Sequence, residues 1–224
     1  MSSDLKLLRL LQLASPNLPV GGFTYSQGLE WAVEAGWVQG AEGFRNWQRQ
    51  QLEDTLGYLD WPLLARLYQA CRDDDAEAFA RWSQFLLANR ETAELRLEER
   101  QRGMALARLL DGWQLCQAPE WRARLGLSQL GGMAWLGVHW DIPLRDLALG
   151  HGFAWLEGAV MAGVKLVPFG QQAAQSLLRD LCEALPEVLQ RALQLPDEQL
   201  GGGLPLLAIA SARHETQYTR LFRS

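Results

Sequence analysis

The stretch from Gln171 to Leu193, QQAAQSLLRDLCEALPEVLQRAL, decides the fold class. Leu178, Leu181, Leu185, Val188, Leu189 and Leu193 recur at three- and four-residue intervals, which gathers them into one stripe at the period of an α-helix. Pro186 sits inside that pattern and predicts a kink or a restart, because its ring removes a hydrogen bond and clashes with the preceding turn. The same period extends outward in both directions. Pro143 opens a helix to about Gly163, and Gly131-Gly132 within the apolar run Leu127 to Trp140 predicts close helix contact. Phe44, Trp47, Leu52, Leu56 and Leu59 share one face, and Leu63, Leu64, Leu67, Tyr68 and Cys71 share the next. Phe79, Trp82, Phe85 and Leu86 follow, then a helix from Arg90 to Leu115 that begins polar and ends apolar. Composition agrees, with 43 Leu against 15 β-branched residues. The fold class is all-α, a single-domain helical bundle over residues 1–224 with a flexible C-terminal tail.

Boundaries follow from caps and breakers. Leu7, Leu8, Leu10 and Leu11 make an apolar opening helix, and Ser15 to Gly22, with two prolines and a glycine pair, forms a loop. Thr24 with Gln27 predicts a capping box and a helix from Tyr25 to Gly36. Asp60 is placed as the cap of the next helix, and Asp74 with Glu77 as another capping pair. Pro196 and Gly201-Gly202-Gly203 make a hinge at about 196–203, ahead of a docking tail at about 204–224. That tail mixes Arg with Tyr, Leu and Phe and cannot form a core alone, so it must dock on its own body or on another chain.

Charge and composition exclude several roles. A net charge of -5 and a pI near 5.3 argue against nucleic acid or an anionic membrane as main partner. The stretch Gly158 to Val164 is too short to span a bilayer, and the opening Met1-Ser2-Ser3-Asp4 lacks the basic start of a secretory signal. Cys71, Cys116 and Cys182, widely separated and odd in number, fit reduced thiols in a cytoplasm.

No catalytic constellation emerges. His139, His151 and His214 are scattered, without another His or Cys at metal-ligand spacing, so structural or surface roles are expected. A nucleophile elbow, a P-loop and a dinucleotide fingerprint are absent. Asp73-Asp74-Asp75 invites comparison with the magnesium motif of helical prenyl-transfer enzymes, with Glu91, Glu94, Glu98 and Glu99 as the second cluster such a site needs. Arginines interleave with those glutamates, and Glu98 to Arg102 reads as a surface pair one helical turn apart, so capping and solvation account for both groups. Ten tryptophans suit a core and, where exposed, a protein interface. Lys165 stands out as a cation in the apolar junction Ala162 to Gln171, either snorkelling over apolar neighbours or anchoring an interface.

Four blocks of this sequence, in order, resemble the UreF family of urease accessory proteins. They are Leu11 to Glu30 (LQLASPNLPVGGFTYSQGLE), Arg90 to Arg96 (RETAELR) with Glu98 and Glu99, Val164 to Gln171 (VKLVPFGQ), and Ser211 to Glu215 (SARHE) with Arg220, Leu221 and Phe222. Many family members carry Arg where this chain has Lys165, which keeps the charge and loses the bidentate fork. The resemblance implies a non-enzymatic, all-helical, cytoplasmic homodimer with no catalytic residue, metal ligand or cofactor of its own. It implies binding to the scaffold UreD (UreH in some organisms) and recruitment of the GTPase UreG to urease apoprotein, coupled to nickel insertion. It places Lys165, Arg220 and Glu30 toward the GTPase, and His214, Tyr218, Leu221 and Phe222 toward UreD. Two alternatives from the residues alone are a general helical adaptor and, more remotely, the magnesium-dependent prenyl-transfer enzyme.

Overall fold

The computed structural model describes residues 1–116 and 118–223; the side chain of Phe23, within a quoted sequence block, and Ser224, within the expected docking tail, lie outside the described set. It is all-α, with no strand among the described residues. The helices are α1 (Ser3–Ala14), α2 (Leu29–Glu34), α3 (Gly40–Gln51), α4 (Trp61–Arg72), α5 (Ala76–Asn89) and α6 (Ala93–Gly112). They continue with α7 (Pro119–Leu125), α8 (Gln129–His139), α9 (Leu144–Leu166), α10 (Gln171–Cys182), α11 (Leu185–Ala192) and α12 (Pro205–His214). The break between α10 and α11 falls where Pro186 places it, with the proline in the first turn of α11.

Helix α9 is the axis of the bundle. It is long and apolar enough to cross a bilayer by length and composition alone. Here it is instead packed by α1, α2, α3, α4, α8, α10 and α11. Trp61, Phe44 and Phe79 are wholly buried at the centre. Close approach depends on the predicted glycine pair: a Cβ on Gly131 would lie 2.6 Å from the Phe79 ring, and one on Gly132 2.7 Å from Leu106.

Helices α3 and α4 are one continuous run, joined by a π-helical stretch over Leu52–Asp60. Wide turns of this kind occur mostly where an α-helix carries a local demand. The stretch packs against α11, with Gly57 facing Val188, and the Tyr58 carbonyl accepts the Gly201 amide at 3.1 Å. The glycine triplet therefore lies along this segment: a Cβ on Gly202 would stand 2.3 Å from the Asp54 carbonyl oxygen.

Three expected caps are corrected. Thr24 ends a short 3-10 turn, Gly22–Thr24, and bonds back to the Gly21 carbonyl; Gln27 and Gly28 take left-handed φ values of 52° and 79°, so α2 starts only at Leu29. Asp60 caps nothing and instead pairs with Arg90. Asp75, not Asp74, caps α5 by accepting from the Ala78 amide, while Asp74 accepts from the Trp121 indole at 2.8 Å. With Asp73 held by Gln69, the three aspartates serve three separate local contacts. Of the tryptophans, Trp37 is exposed and the others are buried or half-buried. The cysteines are unpaired.

Candidate protein interface

The site grows from α2. Gly28 brings that helix against α12, where an added Cβ would meet the Ser211 amide at 2.9 Å. This proximity sets Glu30, which is 8% exposed, under the chain end. One Glu30 oxygen accepts the Leu221 amide at 2.6 Å and the other the Phe222 amide at 2.9 Å. His214, wholly buried at the end of α12, lies with Nε2 3.3 Å from Glu30 and Nδ1 2.8 Å from Glu94 of α6. Arg220 donates to the other Glu94 oxygen at 3.0 Å. The contact is reciprocal, since Glu215 accepts the first two backbone amides of α6, those of Ala93 and Glu94. Gln217 reaches Glu34, one turn beyond Glu30 on α2, and the Arg223 amide donates to the Thr24 carbonyl at 2.8 Å.

Lys165, in the last turn of α9, closes the other side. Its ammonium lies 5.3 Å from the centroid of the Phe222 ring, a cation–π contact, while its side chain stays exposed. The structure thus brings together Glu30, Lys165, Arg220, His214, Leu221 and Phe222, residues singled out from separate blocks of sequence. Their exposures differ. His214 and Phe222 are buried and Glu30 nearly so, whereas Tyr218 is fully exposed and Leu221 is 64% exposed. Tyr218 stands apart from the cluster as a free aromatic on the tail's outer side.

Beside this clasp a cleft of about 450 Å³ runs under the Ser15–Val20 loop, lined by Leu18, Val20, Gln48, Gln51, Met161 and Lys165 among others. Deeper in lies a polar cavity of about 60 Å³ that the sequence reading missed. Asp60 and Glu99 flank Arg90 at 2.9 Å each, Glu98 pairs with Arg102 at 2.8 Å, and Gln27 bridges Glu98 to the Trp155 indole. The Glu98–Arg102 pair has the expected helical spacing, but Glu98 and Glu99 are buried, which corrects their reading as a solvated face. Burial pushes the Asp60 carboxyl up to about 6 against the pull of Arg90. Burial and the Arg102 charge bring His151 down to about 4. Glu99 is equally buried, yet Arg90 and Arg102 hold its carboxyl below the usual range. The alternation of Arg and Glu over residues 90–102 carried no sign of burial, because the same pattern describes a solvated helix. Among the described residues no three His, Cys, Asp or Glu side chains lie close enough to hold a metal ion.

The site is thus a helical body that clasps its own C-terminal segment through Glu30, Glu94 and Lys165. The UreF family model matches residues 38–182. The chain is similar over its whole length to the urease accessory protein UreF of Pseudomonas entomophila, at 83% identity covering 100% of both chains. The same holds for the UreF of Pseudomonas putida strain W619, at 81%, and for that of Klebsiella pneumoniae subsp. pneumoniae, at 59%, again covering 100% of both chains. The chain belongs to the UreF family.

Proposed function

We propose that this protein serves urease maturation as a scaffold: with UreD (UreH) it recruits the GTPase UreG to urease apoprotein and couples that recruitment to nickel insertion. It acts in the cytoplasm, as a homodimer, without catalysis of its own. The observation that carries the reading is the clasp, in which two cations, Lys165 and Arg220, stand at the surface beside a folded-back chain end. Exposed cations at a desolvating rim favour acidic protein partners and speed their encounter. Tyr218 and Leu221, both exposed, are the tail's available contacts for UreD, while His214 and Phe222 support the tail from beneath. The homodimer is supported by an unpartnered apolar surface on α1, where Leu7, Leu8 and Leu11 are each more than half exposed.

Binding at two faces links the partners thermodynamically, with coupling energies typically about 1–3 kcal/mol. The test is co-purification from urease-expressing cells with a tagged chain. UreD, UreG and urease subunits co-elute with the native protein, and Lys165→Ala loses UreG while keeping UreD and its helical circular dichroism. Undiminished UreG on the Lys165→Ala chain removes that residue from the interface; absence of all three proteins on the native chain overturns the scaffold.

A further inference from the structure

Residues 215–223 form no helix of their own, and the seat that holds them is acidic on one side and cationic on the other. From α2 come Glu30 and Glu34, one turn apart on the same face; from α6 comes Glu94. The chain end answers with two backbone amides, the Arg220 guanidinium, the Gln217 amide and the His214 ring. Glu30 is the only one of these carboxylates buried below a tenth of its surface, and both its oxygens are occupied from inside the chain. A carboxylate accepting two amides and facing an imidazole has little left to offer a partner. Its loss would leave the buried Phe222 amide, and the part-buried Leu221 amide beside it, without their acceptor, which is costly for the buried donor.

We infer that Glu30 and Glu94 are positioning residues, which fold the chain end back and so assemble Lys165, Arg220 and Leu221 into one continuous partner-facing surface. This changes the role expected for Glu30, from direct contact with the GTPase to internal support, and gives Glu94 a role that no sequence block assigned to it. Each of the two carboxylates meets His214, so the ring ties the supports to one another through the end of α12. Glu215 couples the closure to α6: Thr92 caps that helix by accepting the Leu95 amide, and Glu215 accepts the two first-turn amides that precede it, so releasing Glu215 leaves those two amides without their acceptor beside Glu94. Phe222 carries the same closure to α9, because its ring is the surface on which the Lys165 ammonium rests. The recruitment part rests on the proposed function; the placement of the chain end does not.

Two measurements separate these. In Glu30→Ala and Glu94→Ala, amide hydrogen exchange over residues 220–223 rises by roughly tenfold or more while the α4 and α8 amides keep their protection. Unchanged exchange at Leu221 and Phe222 overturns the positioning role. The second measurement is UreG co-purification with Glu30→Ala, with and without a cross-link between cysteines introduced at Thr24 and Arg223, whose backbones already share a hydrogen bond. Recruitment falls in Glu30→Ala and returns when the chain end is tethered. A loss that the tether fails to restore makes Glu30 a direct contact and overturns the inference. Should the native chain recruit no UreG, the scaffold reading fails, and the exchange experiment alone then decides the positioning role.

Discussion

At the scale of single residues, the glycines make the sharpest predictions because the bundle uses them in two opposite ways. Gly103 of α6 passes so close to the start of α8 that a Cβ would meet the Ser128 backbone at 2.7–2.9 Å. Backbone cannot yield as a side-chain tip does. Gly103→Ala is therefore expected to destabilise by about 1–3 kcal/mol, the usual penalty of overpacking. Gly158 of α9 meets nothing within 4 Å, so Gly158→Ala should gain about 0.5–1 kcal/mol from helix propensity alone. Urea unfolding midpoints with an unchanged slope check both signs. The crowding at Gly131-Gly132 was legible, because two glycines in an apolar helix need a reason. Gly103 was not, since its neighbour in space lies outside its own helix and α6 gives no local hint of it.

At the scale of elements, the polar layer joining the π-helical stretch, α6 and α9 predicts a pH response with opposing parts. His151 is lowered from 6.5 to about 4, so its contribution to stability is complete above pH 6.5 and is lost as pH falls toward 4. Asp60 is raised from 3.8 to about 6, so its contribution is complete below pH 3.8 and is lost as pH rises toward 6. Between pH 4 and 6.5 the two slopes oppose each other and the native protein should change little on their account. His151→Gln leaves the Asp60 slope, and the protein then gains stability on acidification across that window relative to the native chain. Asp60→Asn leaves the His151 slope and loses stability instead. Chemical denaturation at pH 4.5 and 6.5 reads the sign directly, apart from any pH-independent loss in either variant. The misplaced caps belong to the same scale. Thr24 and Gln27 have capping-box spacing, but the tight entry of α2 against α12 imposes left-handed geometry on Gln27 and Gly28 and delays the helix. Asp60 was drawn inward because Arg90 of another segment needs a counter-charge.

At the scale of the whole molecule, the proposed scaffold role assigns two separate partner contacts, one to the exposed leucines of α1 and one to the clasped chain end. If the proposed homodimer forms through α1, replacing Leu7 and Leu11 together by Asp lowers self-association in sedimentation experiments while leaving the helical spectrum intact; an undiminished dimer moves that contact off α1, and a native chain that sediments as a monomer overturns the homodimer. The fold class, the helices around Pro186 and Pro143, and the family resemblance were accessible from the sequence, because periodicity, breakers and motifs are local properties of a chain. Which residues face solvent was decided only by tertiary packing. His214, Phe222 and Glu98 carry no sequence mark of burial, since a polar or aromatic residue reads alike on either side of a helix until its neighbours from distant segments are in place. The ion pairs Asp60–Arg90–Glu99 and Arg220–Glu94, and the His214–Glu94 hydrogen bond, join residues up to 126 positions apart, and only the folded chain brings these groups within a few ångströms.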